Sequence, residues 1–141
     1  DIATVGNAIF LFEEFLAREI IAKRLVLPLR SAGGQKFLVH GHCHQKAVGA
    51  MKAMRRVLKQ VPDLQFEMIE AGCCGMAGTF GIEAEHAQWA AAMAEQALLP
   101  ALRVDTQAAV VANGFSCRQQ LKSFGDDRGQ HLALVLQQQL A

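Results

Sequence analysis

Three times along this 141-residue chain a short apolar run leads at once into a cysteine-bearing loop and then into a stretch with helical spacing. Lys36-Phe37-Leu38-Val39-His40 reads as a buried strand. Gly41-His42-Cys43-His44 follows, and then a helical stretch to about Gln60 with Ala47, Met51, Met54 and Leu58 on one face. After the breaker Pro62, Leu64 to Ile69 alternates as a second strand. Next come Ala71-Gly72-Cys73-Cys74-Gly75-Met76-Ala77-Gly78 and an Ala-rich helix from about Ile82 to Leu99, ending near Pro100. Ala108 to Ala112 is a third strand, followed by Asn113-Gly114-Phe115-Ser116-Cys117 and a helical turn through Leu121. Parallel strands need crossovers, so this order predicts an α/β fold: doubly wound, with a mainly parallel sheet and helices on both faces.

Outside the repeats, Asn7 to about Arg24 places Ile9, Phe12, Phe15 or Leu16, and Ile20 at helical spacing. Leu25 to Leu29, with Pro28, suggests a short edge strand before the Ser31-Ala32-Gly33-Gly34 turn. His131 to Leu140 reads as a C-terminal docking helix. Residues 1–30 are thus an amphipathic helix and edge strand, and 31–141 the cysteine-rich α/β domain. A hydrophobic content of 52% is enough for one core, and a net charge of +1 gives no reason to expect nucleic acid. No apolar run is long enough to span a membrane, because charges from Glu13 to Arg24 interrupt the one from Ile9 to Leu29. The chain starts at Asp1 and shows no secretory signal, so it is expected to be part of a longer polypeptide.

In open α/β sheets, ligands sit beyond the carboxyl ends of the strands, where all four cysteines fall. Two of the four are adjacent, a geometry that rarely closes a disulfide, so thiolate ligation in a reducing compartment, the cytoplasm, fits better. Cys43, Cys73, Cys74 and Cys117 are the candidate ligands, and Gly72 and Gly75 would let the backbone bend so that both sulfurs of the pair face one site. Four thiolates suit zinc or an iron-sulfur cluster, and thiol-based redox chemistry at Cys73-Cys74 is a third reading.

His40, His42 and His44 alternate around Cys43, with His42 and His44 candidate metal ligands; the plainer role is to fix the loop. Lys46, and the basic face of Lys52, Arg55, Arg56 and Lys59, are expected to be solvated helix surface. Trp89 and Met93 are expected to pack. The Gly72 to Gly81 stretch lacks a dinucleotide fingerprint and a phosphate-loop lysine.

The motifs His40-Gly41-His42-Cys43-His44-Gln45-Lys46, Ala71 to Gly78 and Gly114-Phe115-Ser116-Cys117 resemble the CCG-type cysteine-rich domain. Such domains occur in heterodisulfide reductases and in the iron-sulfur subunits of glycolate oxidases. The likeness, from about Phe10 onward, is nearer to the C-terminal iron-sulfur portion of fused FAD-linked D-2-hydroxyglutarate and D-lactate dehydrogenases. The fullest form of the family pattern ends in Cys-x-x-Cys, whereas Cys117 is followed by Arg118, Gln119 and Gln120. That departure favours a single 4Fe-4S cluster over a non-cubane double cluster. The resemblance implies electron transfer from a flavin that oxidises a 2-hydroxy acid, through upstream FAD and ferredoxin-like portions of the same polypeptide, to an acceptor such as a quinone. It implies no catalytic residue in this segment, which alone should be inactive. The site would be empty or zinc-filled after aerobic preparation, and the location cytoplasmic or peripheral to the inner membrane.

Overall fold

The computed structural model describes every residue from Asp1 to Ala141. Strands β1 (Lys36–His40), β2 (Gln65–Met68), β3 (Ala109–Ala112) and β4 (Gly129–Gln130) form one sheet in the order β2-β1-β3-β4, with every neighbouring pair parallel. The helices are α1 (Ile2–Gly6), α2 (Phe12–Ile21), α3 (Cys43–Ala47), α4 (Met51–Leu58), α5 (Ala87–Glu95), α6 (Leu98–Val104), α7 (Phe115–Ser123) and α8 (Leu132–Gln139).

Period-two alternation sorts the strand residues between two cores. Phe37, Val39 and Val111 face the core built by Leu16 and Ala17 of α2, Met54, Val57 and Leu58 of α4, and Leu132, Val135 and Leu136 of α8. Leu38, Val110 and Ala112 face the other, with Ala94, Leu98, Leu99, Leu102 and Leu121 from α5, α6 and α7. Both faces of the sheet are therefore covered, as the sequence predicts. Each fully buried Leu, Val or Phe stabilises the fold by about 1.5–3 kcal/mol. The β1-to-β2 connection packs on the first face and the β2-to-β3 connection on the second, so the winding reverses between β1 and β3. In such sheets that reversal opens a crevice at the carboxyl ends of the two strands.

Several local expectations change. The helix predicted from Asn7 to Arg24 is α2 alone, and its buried stripe is Glu13, Leu16 and Ala17 with Ile20 partly covered, while Phe12 and Phe15 are exposed. A charged residue thus holds a core-facing position that the apolar spacing assigned elsewhere. Leu25 to Leu29 makes no strand; Leu29 forms a single antiparallel bridge with Leu140, and Pro28 accepts a hydrogen bond from the Ala141 amide at 2.8 Å. The predicted helix through Gln60 breaks at Gly49, whose φ of +76° separates α3 from α4. Pro100 does not end a helix but sits in the first turn of α6, where a missing N–H costs nothing. Trp89 is 60% exposed rather than packed. Lys52, Arg55, Arg56 and Lys59 are exposed and joined to no acid, matching a solvated face. No helix is long and apolar enough to cross a membrane.

Candidate metal centre

The crevice between β1 and β3 is lined from the strand ends upward. His40 is the last residue of β1 and shares the face of Leu38, two residues earlier, so alternation turns its ring toward α6 and α7 rather than toward α4. His42 caps α3: its Nδ1 accepts from the His44 amide at 3.2 Å, and its own amide donates to Gln45 Oε1 at 2.9 Å. Cys43 is the first residue of α3 and is exposed. Cys117 lies in the first turn of α7, fully buried. Both sulfurs therefore start from helix N-termini, where amide dipoles favour negative charge.

The Cys73-Cys74 loop bends at Gly75, whose φ is +92° and where a Cβ would lie 2.2 Å from the Ala90 carbonyl oxygen. Only glycine fits there. Gly72 has open space around it and no left-handed φ, so of the two glycines flanking the pair only Gly75 makes the bend. The Gly75 amide donates to Cys73 Sγ at 3.3 Å. Lys46 holds the approach to the pair, its Nζ donating to the Ala71 and Gly72 carbonyl oxygens at 2.6 and 2.5 Å. That is a loop-fixing role rather than the solvated one expected. Gly114 packs so tightly that an added Cβ would fall 2.3 Å from His42 Cδ2 and 3.0 Å from Cys117 Sγ.

The ligand atoms of His40, Cys74 and Cys117 all lie within 4.8 Å of one another, and all three residues are buried. Cys117 donates toward Cys74, which together with the nearby His40 ring and the Met76 amide outweighs burial and pulls the Cys74 thiol down to about 4. The same bond to Cys74, with burial, pushes the Cys117 thiol up. The two shifts run in opposite directions, so Cys74 is the more acidic thiol of the pair. Burial raises Cys73, the Gly75 amide opposes it, and the adjoining Cys43 adds to the rise. Neither His40 nitrogen closes a well-formed hydrogen bond, although the side chain is 0% exposed. Buried imidazole nitrogens without partners are costly unless something else binds them. An orphaned imidazole beside two buried sulfurs is a donor set that suits a soft metal.

His42 and His44, the candidate ligands of the sequence, are placed differently: His42 Nδ1 is used in capping and His44 is exposed. The sequence signal that could have singled out His40 is its place two residues beyond Leu38 on a buried strand. Gln120 stands where a Cys-x-x-Cys pattern would put its second cysteine; it is buried and its Nε2 donates to the Ala90 carbonyl at 3.2 Å.

The profile of the CCG cysteine-rich domain matches residues 37–122, which hold all four cysteines and more than half of the chain. This chain belongs to the CCG cysteine-rich domain family. The CCG domain is also 30% identical over 113 residues to D-2-hydroxyglutarate dehydrogenase of Escherichia coli K12, a match covering 79% of this chain and 11% of that protein. To D-2-hydroxyglutarate dehydrogenase of Pseudomonas putida KT2440 it is 33% identical over 117 residues, with the same coverage. It is also 26% identical over 106 residues to one of the subunits of anaerobic glycerol-3-phosphate dehydrogenase of E. coli K12, covering 75% of this chain and 26% of that relative. The matched region is thus about a tenth of the length of the first two relatives. No solved structure matches the chain.

Proposed function

We propose that this CCG domain holds a 4Fe-4S cluster on Cys43, Cys73, Cys74 and Cys117 and transfers electrons within a flavin-dependent dehydrogenase of 2-hydroxy acids. The observation that carries the reading is the meeting of Cys74 and Cys117, from two strand-to-helix loops, beside the buried and unpartnered His40 imidazole, with Cys43 and Cys73 paired next to them. When bound, such a cluster supplies one-electron transfer. The chain's own residues supply the rest. Cys74 offers a ready thiolate, the first turns of α3 and α7 favour negative charge on Cys43 and Cys117, and the packing of Cys74 and Cys117 keeps water from half of the site. His42 and His44 lie at the open side, beside Cys43.

Two of the relatives are named as D-2-hydroxyglutarate dehydrogenases and one as part of a glycerol-3-phosphate dehydrogenase, which supports a place inside a redox enzyme. Its immediate partners are then flavin and ferredoxin-like portions of one polypeptide, with a quinone or similar acceptor beyond, in the cytoplasm or at the inner-membrane periphery. Residues 31–141 carry all four cysteines, and α2 from residues 1–30 packs into the same unit.

A second reading is a structural zinc site on His40, Cys74, Cys117 and one further thiolate. It is favoured by the closeness of those three donors, because sulfur and nitrogen around one ion stand within a few ångströms of each other. Anaerobic reconstitution with iron and sulfide, followed by metal analysis, visible absorption and EPR of the reduced protein, decides between them. The expected result is a broad charge-transfer band and a cluster signal. Tight stoichiometric zinc with no cluster signal overturns the iron-sulfur reading.

A further inference from the structure

Glu13 is 1% exposed and belongs to α2, ahead of the region that defines the family match. Its two carboxylate oxygens face the two loops that carry Cys43 and Cys117. Oε1 accepts from Gln45 Nε2, and Oε2 accepts from Asn113 Nδ2 at 3.0 Å. Neither amide is free to turn over. Gln45 Oε1 is already held by the His42 amide at 2.9 Å, and Asn113 Oδ1 by the Leu132 amide at 2.9 Å. Both side chains must therefore present NH2 to Glu13, and only a group that accepts at both ends completes the set. Burying a carboxyl group is costly unless its oxygens are paired, and here both are.

From this geometry we infer that Glu13 is a positioning residue for the metal centre, a clamp that sets the Cys43 loop against the Cys117 loop through Gln45 and Asn113. The inference rests on the reading of the cysteines as a metal site and adds a group from outside the cysteine motifs. In metal proteins, partners that orient the ligand-bearing groups typically change affinity by about 10–100-fold when removed.

The test uses cobalt(II) as probe under anaerobic conditions, read by sulfur-to-cobalt charge-transfer absorption and by competition with a chelator, in the wild type, Glu13→Gln, and Glu13→Gln with Asn113→Asp. In the first variant one amide NH2 meets another, whichever way the new side-chain amide turns. In the double variant the introduced carboxylate accepts from both that amide and the Leu132 amide, so the chain of donors and acceptors is whole again at unchanged total charge. The expected result is cobalt affinity lower by about 10–100-fold in Glu13→Gln and returned to near the wild-type value in the double variant. Wild-type affinity and spectrum in a folded Glu13→Gln, or a folded double variant that stays as weak as the single one, overturns the inference. If Glu13→Gln does not fold, the double variant alone decides: recovery of fold and affinity supports the clamp, and failure of either overturns it.

A wild type without charge-transfer absorption means that the metal reading fails, not the clamp. The clamp is then read in the metal-free proteins by hydrogen exchange at the His42 and Leu132 amides. Joint loss of protection in Glu13→Gln and its return in the double variant supports the clamp, and unchanged protection overturns it.

Discussion

Thiol chemistry needs a thiolate and a path to it. Cys74 has the first without the second: its thiol is pulled down to about 4, chiefly by the bond from Cys117, but its side chain is 1% exposed. Cys117 is closed off as well and, as the donor of that bond, is pushed the other way. Cys43 lies open at the head of α3, and Cys73 is half-covered. Metal-free protein treated with iodoacetamide at neutral pH should therefore be labelled at Cys43 first and at Cys73 next. Cys74 and Cys117 should react only after denaturant is added, as peptide mass mapping would record. Rapid labelling of Cys74 in the folded protein would instead favour thiol-based redox chemistry at the Cys73-Cys74 pair.

At the scale of elements, the loop after β2 depends on how closely it approaches α5. Gly75→Ala would place a methyl 2.2 Å from the Ala90 carbonyl at a φ of +92°, while Gly72→Ala meets nothing within 4 Å. The first should cost at least about 2 kcal/mol, from backbone strain and the displaced helix. The second should stay within about 0.5 kcal/mol of the wild type, as surface changes do. Urea unfolding of both variants measures the difference, and equal losses would mean that the bend is not confined to Gly75.

Elements were legible in the sequence where periodicity was strong and packing two-sided. Phe37, Leu38 and Val39 could only be a buried strand, and the cysteine loops followed from strand order. Less legible were features set by tertiary contacts. β4 is two residues, too short to show a period. Glu13 stood out only as a charge in an apolar run, because its two amide partners lie 32 and 100 residues away. The sequence placed the cysteines at one edge, and its signal for His40, two residues beyond Leu38, was masked by the other two histidines beside Cys43. Only the turn of the β1 backbone decides that His40 faces the thiols while His42 is spent on capping.

For the whole molecule, the corner where α6, β3 and β4 meet depends on one guanidinium. Arg128 donates to the Asp105, Ala108 and Leu102 carbonyl oxygens at 2.7, 3.0 and 3.0 Å, and Asp126 Oδ2 holds it in place at 2.6 Å. That pairing keeps the Asp126 carboxyl below the usual carboxylate range. A carboxyl depressed in the folded state contributes stability that is fully present above its unfolded value and is lost as pH falls through the folded one. The wild type should thus be more stable than Asp126→Asn near pH 7, and the gap should narrow as acid is added below the ordinary Asp range. Urea midpoints measured across that interval test this, and a gap that stays constant with pH would show that Asp126 contributes no charge.

The placing of β1 between β2 and β3 leads us to predict an order of events during folding. Cys43 emerges early in the chain, but the neighbour that completes its crevice, β3 with Cys117, is made only after the whole β2 crossover. Closing that long loop is the step expected to be slow, because contacts distant in sequence cost the most chain entropy. The thiols then meet because the sheet has assembled, held by amide and lysine ties that do not need a metal. A metal taken up here would on this view meet a scaffold already assembled, and refolding rates with and without added metal should then agree.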